Sequence, residues 1–118
     1  MFFPEGNIQI KLYGQPVDMR KSFDGLTAIA RHAMHMNPLS GALFVFINRR
    51  ANQMKVLYWD RTGFCVWAKR LERGRFISNW NNVHSQEMDW TALKLMLEGI
   101  EPARQRLRYR TPKSTNIS

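Results

Sequence analysis

The chain has 118 residues, 44% of them hydrophobic, and a formal net charge of +9. That length bounds a single domain able to bury a core without metal or disulfide, and that hydrophobic share excludes a globally disordered chain. The one cysteine, Cys65, excludes an intramolecular disulfide, and the longest wholly apolar run, Ala42–Ile47, falls far short of the roughly 20 residues that span a bilayer.

The start of the chain, Met1-Phe2-Phe3-Pro4-Glu5, has neither a basic nor an apolar signal region, so no signal peptide is expected. Residues 8–13 alternate apolar and polar, which predicts a half-buried strand with Ile8, Ile10 and Leu12 on one face. Gly14-Gln15-Pro16 breaks it. A long helix is predicted next, with Asp18 as its N-cap. Its apolar stripe runs through Met19, Phe23, Leu26, Ala30, Ala33 and Met34. Gly25 inside the stripe costs about 1 kcal/mol relative to alanine, which points to close packing there. Asn37-Pro38 ends the helix.

Three apolar runs follow: Leu43–Ile47, Val56–Trp59 and Phe64–Ala68. Turn signals separate them, Asn48-Arg49-Arg50 and Asp60-Arg61-Thr62-Gly63, so they read as a three-stranded antiparallel meander. Their alternation is unusual. Leu43, Val45 and Ile47 oppose Phe44 and Phe46, and both sets are apolar. A sheet with one wet face alternates cleanly. This one needs two covers. The long helix can supply one, and the later helix, the tail or a partner must supply the other.

Ser78–Asn82 reads as a loop and Val83–Met88 as a candidate short strand. A second helix starts at the N-cap candidate Asp89, with Met88 and Leu93 spaced as a hydrophobic staple. Trp90, Leu93, Met96 and Leu97 form its inward face. Gly99 and Pro102 mark its stop. The predicted fold is α+β, an antiparallel sheet built on the meander with one long and one short helix. The order is β-α-β-β-β-α, with room for extra short strands. Residues 1–103 form one domain, and 104–118 read as a basic, flexible tail.

Charge is concentrated. Residues 49–75 carry eight basic side chains against two acidic ones, and the tail from Arg104 carries five basic and none acidic. Such an imbalance speaks to polyanionic partners. The candidate nucleic-acid-binding residues are Arg49, Arg50, Lys55, Arg61, Lys69, Arg70, Arg73 and Arg75, which would neutralise phosphates with strong salt dependence. The competing reading is a solvated, solubilising surface. Tyr58, Trp59, Phe64 and Trp67 lie among these charges and could stack on bases, but core and cross-strand packing is the favoured reading of each. Asp18, Arg20 and Lys21 form a candidate anion or motif site; the plain alternative is a cap with two solvated cations.

Catalytic chemistry is weakly signalled. A nuclease needs carboxylates converging on divalent metal, and Asp18, Asp24, Asp60 and Glu72 show no such spacing. His32, His35, His84 and Cys65 lack the pair spacing of a zinc site. No catalytic residue, metal or cofactor is therefore assigned, and Cys65 reads as a small strand hydrophobe.

Four strings carry a resemblance. They are Val17-Asp18-Met19-Arg20-Lys21-Ser22-Phe23-Asp24-Gly25-Leu26, Gly41-Ala42-Leu43-Phe44-Val45-Phe46, Lys55-Val56-Leu57-Tyr58-Trp59-Asp60, and Gly63 through Phe76. Together they resemble the small accessory protein (TnpB or Orf2-like) of the sixty-six family of bacterial insertion sequences, over about Ile8 to Ile100. The resemblance implies a cytoplasmic bacterial protein with a role in transposition, encoded beside a larger transposase that carries the acidic catalytic residues. The expected function is a non-catalytic accessory factor that binds DNA through the basic rim, assists the transposase, or both. The alternatives are a protein-interaction module that contacts the transposase without DNA and, further off, a metal-dependent nuclease. The expected partners are DNA, mainly through its backbone, and the transposase, with no membrane.

Overall fold

A computed structural model describes residues 8–76 and 85–98, with side-chain detail at all of these but 85–87. The loop expected at 78–82, the helix stop at Gly99 and Pro102, and the basic tail 104–118 lie outside the described residues.

The fold is α+β. Strand β1 (Ile10–Tyr13) leads through helix α1 (Phe23–Ala28) to β2 (Leu43–Ile47), β3 (Gln53–Asp60) and β4 (Gly63–Arg70). Strand β5 (Ser85–Met88) and helix α2 (Trp90–Leu97) follow. The five strands form one sheet in the order β4-β3-β2-β1-β5.

The three apolar runs are β2, β3 and β4, and they pair antiparallel as a meander. The sheet as a whole is mixed, which corrects the expectation of an antiparallel one. β1 pairs parallel with β2, with Ile10 opposite Leu43 and Leu12 opposite Val45. A parallel pair needs a long crossover, and residues 14–42 with α1 provide it. β5 then pairs antiparallel with the other edge of β1.

Helix α1 begins later than the stripe predicts. Its N-cap is Ser22, whose side chain makes no capping bond. Asp18 is therefore no cap: its Oδ1 accepts from the backbone N–H of Arg20 at 2.9 Å, closing a local turn before the helix. After Ala28 the helix widens into a π turn over Ile29–Ala33, where the Met34 N–H donates to the Ile29 carbonyl at 2.9 Å. Leu26, Ala30 and Met34 are buried as expected, whereas Phe23 is 48% exposed. Gly25 answers to a neighbour on its own helix side: an added Cβ there would lie 3.1 Å from the Lys21 stem.

The two apolar faces have two covers. On one, Leu26, Ala30 and Met34 pack with Val17, Phe44, Phe46 and Leu57. On the other, Leu93 and Met96 of α2 and the lone buried Phe76 pack with Ile10, Leu12, Val45, Ile47, Met54 and Val56. Sandwiched between helices, all five residues of β2 are buried. Asp89 caps α2 as predicted, accepting from the Ala92 N–H at 2.7 Å. Among the described residues no helix is long and apolar enough to cross a membrane.

Candidate nucleic-acid interface

The β2–β3 turn is built by Asn48. Its Oδ1 accepts from the Asn52 and Gln53 N–H groups at 3.0 and 3.1 Å, and its amide donates to Asn52 Oδ1 at 2.8 Å. Its own carbonyl accepts from the Ala51 N–H at 2.9 Å. Ala51 takes a left-handed φ of 59° to close the loop. Arg49 and Arg50 stand at the tip, both exposed.

The segment after β4 returns to this same turn. The Leu71 N–H donates to the Asn52 carbonyl at 2.8 Å, and the Phe76 N–H donates to the Ala51 carbonyl at 2.6 Å. Gly74, with φ of 72°, bends the chain between those two pins. Arg73 and Arg75 thus lie on an arc tied to the turn that bears Arg49 and Arg50. Arg70 stands opposite Gln53 across the strand pair. Its Nε lies 3.6 Å from Glu72 Oε2, in a pair exposed enough to be worth little. Five arginines therefore gather at one end of the sheet.

A sixth joins them from a distant stretch. The Val17 N–H donates to the Ile47 carbonyl at 2.9 Å, pinning residues 16–20 beside the end of β2. Between this segment and the turn lies an open groove of about 630 Å³. Residues 16–20 line one side, and Asn48, Arg49, Arg50, Asn52 and Gln53 line the other. Asp18 and Arg20 make a forked ion pair in it, with Nη2 to Oδ2 at 2.7 Å and Nε to both oxygens at 3.1 Å. The Arg20 guanidinium, by hydrogen bonding, brings the Asp18 carboxyl down from 3.8 to about 2. Asp18 is thus ionised at neutral pH. Arg20 is shifted upward in turn by the same contact. The two sequence candidates, the basic turn and the Asp18–Arg20 stretch, line one groove. Lys21 stands at its margin, exposed, and is not among the groove's lining residues.

The other candidates lie elsewhere. Arg61, with φ of 49°, sits in the β3–β4 turn at the opposite end of β3, about 25 Å away at the usual rise of an extended strand. Lys55 Nζ donates to the Lys21 carbonyl at 2.8 Å, fixing the lead into α1. Lys69 Nζ donates to the Leu97 carbonyl at 2.9 Å, where a cation suits the negative end of α2. These two lysines are engaged in holding the helices to the sheet.

Trp59 and Phe64 pack edge to face at 5.0 Å across the hairpin. Tyr58 and Trp67 lean on the α2-side core. Among the described residues no three His, Cys, Asp or Glu side chains converge as metal ligands, and His84 lies outside them.

Two relatives from Sinorhizobium fredii, the uncharacterized proteins y4jC and y4hO, are 36% identical over 77 residues and 39% identical over 75. The matches cover 65% and 63% of this chain, and 66% and 65% of the relatives' own lengths, just under two thirds. No solved structure matches. The profile described as IS66 Orf2 like protein matches residues 8–107, a span that takes in all the described strands and helices and the whole groove. The chain belongs to the IS66 Orf2-like family.

Proposed function

We propose that the protein is a non-catalytic accessory factor in transposition of an insertion sequence, and that it grips DNA by its backbone through the arginine end of the sheet. The observation that carries this reading is the convergence of Arg49, Arg50, Arg70, Arg73 and Arg75. It is held by the two hydrogen bonds from Leu71 and Phe76 to the β2–β3 turn. Arginines on the tips of rigid turns can follow a phosphate backbone at little entropic cost, and such contacts position a protein without reading sequence. The basic tail 104–118 adds charge of the same sign. The transposase of the same element is the natural protein partner of a factor in this family.

A pure protein-interaction module draws less support. The apolar sheet faces that would favour it are covered by α1 and α2. A nuclease fares no better, because Asp60 and Asp18 lie at opposite ends of the sheet.

The test is a salt-titrated binding assay with duplex DNA. Affinity should fall by about a thousandfold or more between low and physiological salt, as expected for several neutralised phosphates. Absence of binding at low salt would sink the DNA reading. Replacing Arg70 and Arg73 by alanine should flatten the salt slope by about 2.

A further inference from the structure

We propose that the groove between residues 16–20 and the β2–β3 turn receives an unpaired nucleotide whose base carries an exocyclic amino group, with Asp18 as the acceptor for that group. This rests on the DNA reading above and makes it specific: the protein recognises a single-stranded stretch, and prefers cytosine or adenine there to thymine.

Shape supports the first half. A duplex presents its phosphates on a convex surface and shuts its bases inside. Laid on the arginine end, it would rest on the shoulders of the groove, Arg49 and Arg50 on one side and Arg20 on the other, and touch little of the interior. A concavity of about 630 Å³ lies within the usual range of sites that enclose small ligands. An unpaired nucleotide can turn its base into it while its flanking phosphates stay on the arginines. Single-stranded recognition commonly works this way, with the base splayed out and held on its edge.

Chemistry supports the second half. Asp18 closes the turn before α1 through the Arg20 N–H, but a neutral asparagine could close the same turn, and a carboxylate repels phosphate. Asp18 nevertheless stands inside the groove, ionised, and its side chain keeps 46% of its exposure while paired with Arg20. A carboxylate accepts hydrogen bonds and cannot donate. The donors that a strand offers once its pairing is undone include the exocyclic amino groups of cytosine, adenine and guanine. A carboxylate accepting from the cytosine amino group is a recurrent pairing. Unpaired thymine has a single donor, the ring N3–H, pinched between two carbonyl oxygens that repel a carboxylate, so it serves Asp18 less well than a free amino group does. Arg20, its side chain 90% exposed, forks onto the carboxylate from the solvent side. Pro16 and Met19 offer apolar wall for the face of the base. The Asn48 amide is engaged within the turn, so it shapes the floor, while Gln53 lines the side.

The experiment measures binding of the full chain at low salt to cytosine-only, adenine-only and thymine-only oligonucleotides of equal length, and to a duplex. The wild type should favour the cytosine and adenine strands over thymine by about tenfold, the scale of one good base contact. Asp18→Ala should abolish that preference while leaving duplex and thymine binding unchanged or slightly tighter, and Asp18→Glu should restore part of it. Thermal melting checks that the exposed Asp18 variants fold. If Asp18→Ala tightens every DNA alike, Asp18 is only a misplaced charge and the inference is overturned. It is equally overturned if the wild type does not separate cytosine from thymine; duplex binding then leaves the backbone reading standing. Failure to bind DNA of any form removes both.

Discussion

At the Gln53 end of β3 the chain turns through Arg49, Arg50 and Ala51. At the Asp60 end it turns through Arg61 and Thr62. Each turn carries arginine and closes with one non-glycine residue at positive φ. The first is held by three side-chain hydrogen bonds from Asn48, receives the arc 71–76 and forms one wall of a groove. The second is a bare hairpin tip braced by Trp59 against Phe64. Local composition alone does not separate them. What differs is which distant segments the sheet delivers to each end, and a charge becomes part of a surface only where others are brought beside it.

The largest expected effect breaks this contrast directly. Replacing Arg49 and Arg50 by alanine should weaken duplex binding at low salt by about tenfold to a hundredfold and lower the salt slope by about 2. Arg61→Ala should change affinity by no more than about twofold. Equal losses at the two ends would dissolve the distinction. Stability sharpens it next. Asn48→Ala strips three hydrogen bonds from a part-buried turn and should cost about 1–2 kcal/mol in a thermal or denaturant melt. Thr62→Ala, at the exposed tip, should stay within about 0.5 kcal/mol.

A smaller effect unites the two turns. Ala51→Gly and Arg61→Gly each relieve a left-handed residue, so each should stabilise by about 0.5 kcal/mol after the entropy of glycine is counted. Destabilisation by Ala51→Gly would mean that its methyl group, not its backbone, matters there. The smallest effect is acid-dependent. Asp18 ionises more readily in the folded protein than its ordinary 3.8, at about 2. A depressed carboxyl stabilises the fold above the unfolded value and loses that contribution as pH falls through the folded one. The wild type should therefore lose slightly more stability than Asp18→Asn between about pH 4 and pH 2, as chemical denaturation at each pH can show.

Much of this architecture is legible in the amino-acid order. The run Leu43–Ile47 is β2 residue for residue, and the apolar character of both its faces already demands two covers. Asp89 announces α2 because a capping carboxylate acts within one turn of chain. Asp18 looks the same and is not a cap, since an Asp beside a forking Arg satisfies itself locally and leaves the helix to start at Phe23. The direction of β1 is also hidden, because alternation records which face is buried and not which neighbour pairs. The candidate site was half visible. Its arginines stand out by density, but Lys55 and Lys69 look identical to them until their carbonyl partners appear across 34 and 28 residues of sequence. Only the Val17–Ile47 hydrogen bond reveals that Asp18 and Arg20 face the turn.

The pairing of β1 with β5 has a consequence for how the molecule comes apart. The meander strands join near neighbours, so their loops close cheaply, whereas Ile10 must find Met88 across most of the chain. The unit of β5 and α2 is thus expected to assemble last and release first. Its departure would bare Leu12, Val45 and Val56 but leave the Asn48 turn and its arginines standing on the meander. Native-state hydrogen exchange should find β5 and α2 opening at lower free energy than β2 and β3. The surface proposed for phosphate contacts would persist in that partly opened form, while a fresh apolar face became available to whatever protein sits alongside.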